Sequence, residues 1–324
     1  MQTVPVYSAE SFRVENGANL GDPISTSEDL CLDDCYALHS AAPRQRLSLL
    51  LDDDGLRVGK NGDVGAFMNR LFLDCVITLM STSGKVIDAI VAVEVDESDM
   101  IARTYLLPLC PIDPKIEYTL INVCRDTAEE KFAQIACVSF VKGTRITLAT
   151  GEMIPIEDLK AGDSVITRDA GVQEIKWVGH STVRATGEFA PVVIKAKALH
   201  NENDLIVSPE HRLFIYQRSD QLGTGRAETL VRASQLVDGK DVTRLDSGFV
   251  DYYQLLFDDH HIIYAEGIAA ESLLFDHRTR SALPDQATQK MSSHRTRYGN
   301  ELEIEDHHFK GHTPVSILRL ASTS

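Results

Sequence analysis

The stretch SFVKGTRITLATGEMIPIEDLKAGD, residues 139–163, decides how this chain is interpreted. It contains two short runs rich in β-branched and other apolar residues, RITLAT and MIPIEDL. Gly151 stands between the runs, which predicts a hairpin with a tight turn. The turn residues Ala161-Gly162-Asp163 close the stretch. The pattern therefore predicts closely spaced strands.

The sequence continues in this manner to about residue 275. Short β-type runs recur at 164–183, 191–199, 205–216 and 252–268, separated by turn residues. Segment 223–237 is predicted to be the one helical insert. Many short strands at this spacing are typical of a compact all-β domain, which we place at 139–275. Residues 276–324 are polar and aperiodic, which predicts a surface tail.

The residues before 139 predict a second unit. Residues 1–30 are polar, with Gly and Pro, and are interpreted as an irregular arm, followed by a short helix within 30–51. Four β-type runs follow at 72–81, 86–95, 102–110 and 118–126, so we predict a small β-rich domain over 31–138. All six cysteines precede residue 138, which indicates two segments that meet there. The predicted fold class is mainly β, an all-β module preceded by a β-rich domain without a catalytic constellation.

Charge and hydropathy limit the partners. The formal net charge is −16, whereas nucleic acids and anionic membranes attract basic surfaces, so neither is expected as a partner. No apolar run approaches the roughly 18 residues of a membrane helix. The first residues carry no basic segment followed by an apolar one, so no signal peptide is expected. This predicts a chain that is cytoplasmic at synthesis, with signal-independent secretion left open.

Three separated motifs resemble one known family. Residues 139–146 place a serine four residues before Gly143-Thr144, and a strand follows. Ser208-Pro209-Glu210-His211 is similar to a Thr-x-x-His motif with serine in place of threonine, and residues 253–267 resemble a late motif. In this order and spacing, the segment is identified as a member of the Hint family, which includes inteins and hedgehog C-terminal domains. The whole chain looks closest to bacterial proteins of the Hint_2 type.

The spacing of the first motif selects the nucleophile. Gly143 follows Ser139 by four residues and Cys137 by six, so the resemblance assigns the nucleophile to Ser139. Cys137 remains an alternative because cysteine is the commoner nucleophile of the family. The absence of any working nucleophile is a third possibility, since an unactivated serine is poor at this chemistry.

The resemblance implies a self-processing reaction. The Ser139 hydroxyl would attack the carbonyl carbon of Val138 and convert the amide into an ester by an N-to-O acyl shift. His211 would protonate the departing nitrogen, a role that suits the pKa of an imidazole. Ser208 would hydrogen-bond the same peptide. His260 is the candidate for a second acid or base.

Two departures from the family pattern limit the expected activity. Gln254 stands where many inteins carry an acidic residue, and an amide cannot take up a proton. After Gly267 no His-Asn pair follows, so splicing is not expected. What remains is autoproteolysis with a single turnover, in which residues 1–138 are released to water or a small-molecule acceptor.

Two rival functions stay open. The Hint fold could serve as a non-catalytic structural or interaction module of a bacterial, possibly secreted, protein. A metal-dependent hydrolase built on His260 and His261 is disfavoured, because adjacent side chains on a strand point to opposite faces. No metal and no cofactor are expected.

Overall fold

The computed structural model describes residues 2–52, 55–137, 139–217, 225–245 and 248–274. Val138 and the predicted tail at 276–324 lie outside these ranges. The chain divides into two compact units, Met1–Phe132 and Ala133–Ser324. This division falls six residues before the boundary at 138/139 that the sequence predicts. None of the helices in the described part of the chain is long and apolar enough to span a membrane.

In the described residues, the first unit contains nine strands, and the helix α1 spans the division between the two units. The elements are β1 Gln2–Ser8, β2 Phe12–Asn16, β3 Cys35–Leu38, β4 Gln45–Asp52, β5 Gly55–Val58, β6 Arg70–Ser81, β7 Val86–Val95, β8 Ile101–Pro108, β9 Glu117–Cys124 and α1 Ala128–Ala136.

Six of these strands close into a barrel. The ring runs β6-β5-β4-β1-β8-β7 and returns to β6, with every neighbouring pair antiparallel. The long strand β6 also pairs with β9, which carries β3 and β2 outward. Closure removes free strand edges within the ring, and most residues of β7 are buried on both faces of the strand. This confirms the β-rich first domain.

Three local predictions for this unit were wrong. The supposed irregular arm contains β1 and β2, because Val4, Val6, Phe12 and Val14 alternate with polar residues and are buried. The short helix within 30–51 is absent, since that segment forms β3 and β4. Helix α1 was not predicted, although its sequence AEEKFAQIA is rich in strong helix formers. Long-range strand pairing, which local composition does not reveal, decided the first two cases.

The second unit consists of short strands in two sheets. They are β10 Phe140–Val141, β11 Arg145–Thr147, β12 Met153–Pro155, β13 Ser164–Thr167, β14 Gly171–Glu174, β15 Trp177–Arg184, β16 Val192–Ile194, β17 Leu205–Val207, β18 Arg212–Tyr216, β19 Glu228–Arg232, β20 Val242–Arg244, β21 Phe249–Leu256, β22 Ile262–Ala265 and β23 Ile268–Glu271.

The order of these strands explains how distant motifs meet. One sheet runs β15-β21-β10-β17-β16-β20, so β10 lies between β21 and β17. The other runs β12-β11-β22-β23-β18-β19, with β13 and β14 attached to β22. A shared core of Phe140, Ile146, Leu213, Leu255 and their neighbours fills the interior. The all-β prediction for this segment is confirmed. The prediction of a helical insert within 223–237 was wrong, because the described part of this segment forms β19 and a single 3-10 turn, Ala233–Leu236.

Candidate active site

Ser139 lies immediately before β10, at the centre of its sheet. Phe140 pairs with Val207 of β17 on one side and with Tyr253 of β21 on the other. In antiparallel pairs this register places Ser208 and Gln254 on either side of Ser139. The sheet therefore brings residues that are 69 and 115 positions away to the candidate nucleophile.

Ser208 forms hydrogen bonds with the main chain on both sides of the Val138–Ser139 bond. The Ser139 N–H donates to Ser208 Oγ at 3.0 Å, and Ser208 Oγ donates to the Cys137 carbonyl at 3.2 Å. The Ser208 N–H donates in turn to the Ser139 carbonyl at 2.8 Å. Both serines are buried. The hydroxyl of Ser208 is thus fixed against the nitrogen of the Val138–Ser139 bond, while Val138 lies outside the described residues.

His211 contacts the carbonyl of Ser139. Its Nδ1 lies 3.2 Å from that oxygen. Because a carbonyl only accepts, Nδ1 must carry the proton. The ring is fully buried and meets Phe140 edge-on, with 4.4 Å between centroids. The structure thus brings His211 to Ser139. The imidazole contacts the carbonyl of the Ser139–Phe140 peptide, whereas the sequence predicted a contact with the nitrogen of the Val138–Ser139 peptide.

Burial also determines the charge of His211. Loss of hydration lowers the pKa of His211 to about 4, although the Glu271 carboxylate and the hydrogen bond to Ser139 act in the opposite direction. The imidazole is therefore neutral near pH 7. A hydrogen bond between the ring and the Glu271 main chain raises this pKa in the same way as the one to Ser139.

Gln254 holds the hydroxyl of Ser139. Gln254 Nε2 donates to Ser139 Oγ at 2.9 Å, and the hydroxyl proton is left to a long contact of 3.5 Å with the Cys137 carbonyl. Gly179 lies opposite Gln254 on β15, where any Cβ would collide with the Gln254 amide and the Trp177 ring. The hydroxyl is oriented by a donor rather than by a base.

Cys137 enters the site through its main chain. Its carbonyl accepts the hydrogen bonds of both serine hydroxyls, and its N–H continues helix α1 through a bond of 2.9 Å to the Ala133 carbonyl. Cys137 therefore contributes to the positioning of Ser139 and Ser208.

His260 lies in a different cluster from Ser139. Its Nε2 is 3.1 Å from Glu271 Oε2, and the same carboxylate binds the guanidinium of Arg212. His261 instead hydrogen-bonds Asp169 through Nδ1 at 2.9 Å. The two neighbouring imidazoles thus have different carboxylate partners. Glu271 and Arg212 were not predicted from the sequence, although charged residues inside apolar strands were a signal that could have identified them.

A small pocket opens beside Ser139. Its polar lining comes from Gln134, Ser139, Ser181, Ser208 and Gln254, and Tyr252 contributes to its wall. The pocket is partly open to solvent, and its free volume has room for about one water molecule. A molecule of the size of water therefore fits beside the Ser139 hydroxyl.

Comparison with known proteins agrees with the motif assignment. Residues 138–277 match the family model of the Hint domain, which confirms the resemblance and covers the site. The crystal structure of the Ssp DnaB mini-intein variant M86 is 9% identical, with 43% of this chain and 97% of that chain aligned and a TM-score of 0.29. The gp41-1 intein is 15% identical, with 41% and 97% aligned and a TM-score of 0.26. No curated protein matches the chain.

Proposed function

We propose that this protein, whose residues 138–277 match the Hint domain, cleaves its own chain at the Val138–Ser139 bond. The observation that supports the proposal is the set of contacts around Ser139. Ser208 is hydrogen-bonded to its nitrogen, His211 to its carbonyl and Gln254 to its hydroxyl. Three side chains from two neighbouring segments thus converge on one buried serine at the start of the family match.

The first step is an N-to-O acyl shift. Ser139 Oγ attacks the Val138 carbonyl carbon, the C–N bond breaks, and an ester forms between Val138 and Ser139. The hydroxyl loses one proton and the Ser139 nitrogen gains one, so no outside reagent is consumed. Water then cleaves the ester, which leaves a carboxylic acid on Val138 and restores the Ser139 hydroxyl. The substrate is the chain's own N-terminal segment.

The assigned roles follow the contacts. Ser139 is the nucleophile, and Ser208 orients the nitrogen that leaves. His211 is assigned as the general acid. Its Nδ1 already contacts the carbonyl of Ser139, the residue whose nitrogen must be protonated. That proton must move from the carbonyl side to the nitrogen, so the resting geometry has to rearrange before reaction. Catalytic hydrogen bonds often align only in the reacting complex.

Hydroxylamine provides the test, because it captures esters as hydroxamates. We expect the purified chain to yield fragments of 138 and 186 residues during prolonged incubation, with the shorter one carrying a hydroxamate on Val138. Ser139→Ala should abolish both fragments, whereas Cys137→Ala should retain them. Cleavage that persists in Ser139→Ala, or that requires Cys137, would refute the assignment.

A second candidate function is a non-catalytic Hint module. The donor contact from Gln254 to the nucleophile favours it, since an amide cannot remove the hydroxyl proton. It predicts an intact chain under hydroxylamine and no effect of Ser139→Ala beyond a change in stability.

A further inference from the structure

A buried ion cluster lies directly behind His211. Glu271, at the end of β23, accepts hydrogen bonds from Arg212 Nε at 2.7 and 2.9 Å. The Arg212 main-chain N–H lies 3.3 Å from the same carboxylate, and His260 Nε2 lies 3.1 Å from it. Glu271 and His260 are fully buried, and Arg212 nearly so. Three polar residues thus share one site that is almost completely buried.

Burial of these charges opposes folding, so a contribution to stability does not by itself explain the cluster. The removal of two charges from water costs several kcal/mol per ion, and well-packed apolar residues of similar volume often do as well or better. The guanidinium and His260 lower the pKa of Glu271 strongly, so its carboxylate stays ionised despite burial. The maintenance of a charge in this interior calls for a role beyond packing.

The cluster is coupled to His211 in two ways. Arg212 is the next residue in the chain, and the pairing of Leu213 with Ala270 sets Arg212 opposite Glu271. Glu271 therefore accepts a hydrogen bond from the main chain at Arg212, the first residue of β18 and the one directly after His211. The two charges also act on the imidazole, since Glu271 raises the pKa of His211 and Arg212 lowers it. None of the three residues hydrogen-bonds Ser139 within the described part of the chain.

We propose that Glu271 is a positioning residue for His211, holding the ring in the tautomer whose Nδ1–H meets Ser139. This inference rests on the proposed function, in which His211 is the acid. Without the carboxylate, the main-chain and guanidinium N–H groups of Arg212 would lose their shared acceptor directly after His211. The imidazole would then exchange its tautomers and leave the Ser139 carbonyl. His260 would act on His211 through Glu271.

The test compares Glu271→Gln with a matched control. Glu266→Gln removes another buried carboxylate from the same β22–β23 hairpin, where Glu266 binds the Arg145 N–H and Asn203 instead. We expect hydroxylamine cleavage to slow about 10- to 100-fold in Glu271→Gln, as for a small misplacement of a catalytic group, and to change less than about twofold in Glu266→Gln. Equal rates in both variants would overturn the proposal.

A spectroscopic readout separates positioning from catalysis. Histidine side-chain ¹⁵N spectra of the intact Ser139→Ala chain, with His211 assigned by His211→Gln, should show the Nδ1–H tautomer. With Glu271→Gln added, we expect a mixture of tautomers, whereas an unchanged His211 signal would overturn the proposal. If the wild-type chain never cleaves, the proposed function fails, while this spectrum still tests the position of the ring.

A double variant covers a failure of Glu271→Gln to fold. Arg212→Leu together with Glu271→Leu removes both members of the buried ion pair, and apolar replacement of such a pair is often tolerated, so the core is expected to remain intact. We expect this folded variant to show the mixed tautomers of His211 and slow cleavage. Retention of the Nδ1–H tautomer with wild-type cleavage would show that the cluster serves stability only.

Discussion

Gln254→Glu should accelerate cleavage of the Val138–Ser139 bond. The amide of Gln254 now donates to Ser139 Oγ at 2.9 Å, and a carboxylate of the same shape would accept from that hydroxyl instead. A positioned general base contributes roughly 10²- to 10⁴-fold. An ordinary Glu pKa lies well below neutral pH, which weakens the base, although partial burial raises that pKa. We therefore expect the lower end, about 100-fold.

The assay is the rate of appearance of the 186-residue fragment by mass spectrometry at fixed hydroxylamine concentration. Gln254→Met removes the hydrogen bond without adding a base and should show no acceleration. Gln173→Glu adds the same charge on β14, where Gln173 bonds the Ala170 carbonyl, and controls for net charge.

If folded Gln254→Glu cleaves no faster than the wild-type chain, removal of the hydroxyl proton does not limit the reaction. The same conclusion follows if Gln254→Met accelerates cleavage equally, because release of the hydroxyl from its donor would then be sufficient. Either result removes Gln254 from the account as the residue that restrains Ser139.

Three further predictions concern the same site. Ser208→Ala leaves the buried Ser139 N–H without its acceptor, so it should destabilise the second unit by about 1–3 kcal/mol in urea unfolding and slow cleavage; an unchanged midpoint and rate would contradict the assigned contacts. Gly179→Ala should displace Gln254 or Trp177 and cost about 1–3 kcal/mol, whereas Gly151→Ala, at a turn with open space, tests backbone strain alone. The pKa of His211 falls from 6.5 to about 4 on folding, so the stability it contributes is complete above pH 6.5 and is lost as the pH falls towards 4. This amounts to about 3 kcal/mol, and His211→Gln should flatten that part of the stability profile; an equally steep profile would place the titration elsewhere.

Much of the fold could be predicted from local pattern. The runs at 72–81 and 86–95 are rich in apolar and β-branched residues, and they form the long strands β6 and β7. The first sixteen residues could not be predicted in this way. β1 is held by β4 and β8, partners about 45 and 100 positions away, and its pairing closes the barrel. Polar composition with Pro5 concealed a strand whose stability comes from those partners.

The candidate site was predictable where the motif is local. The spacing from Ser139 to Gly143 and from Ser208 to His211 named three residues that the structure brings together. The atoms they contact were not predictable, because the register of β10 between β17 and β21 sets them. His260 illustrates the limit, since a motif position alone could not show that its partner would be Glu271, eleven residues on.

The most direct test of self-cleavage is the intact mass of the freshly purified chain before and after incubation with hydroxylamine, measured alongside Ser139→Ala. We expect loss of the 324-residue species, with one new C-terminal fragment beginning at Ser139 and one N-terminal fragment ending at Val138. The Ser139→Ala chain should keep its full mass. A wild-type chain that remains at full mass while correctly folded would contradict autoprocessing and leave the Hint domain as a non-catalytic module.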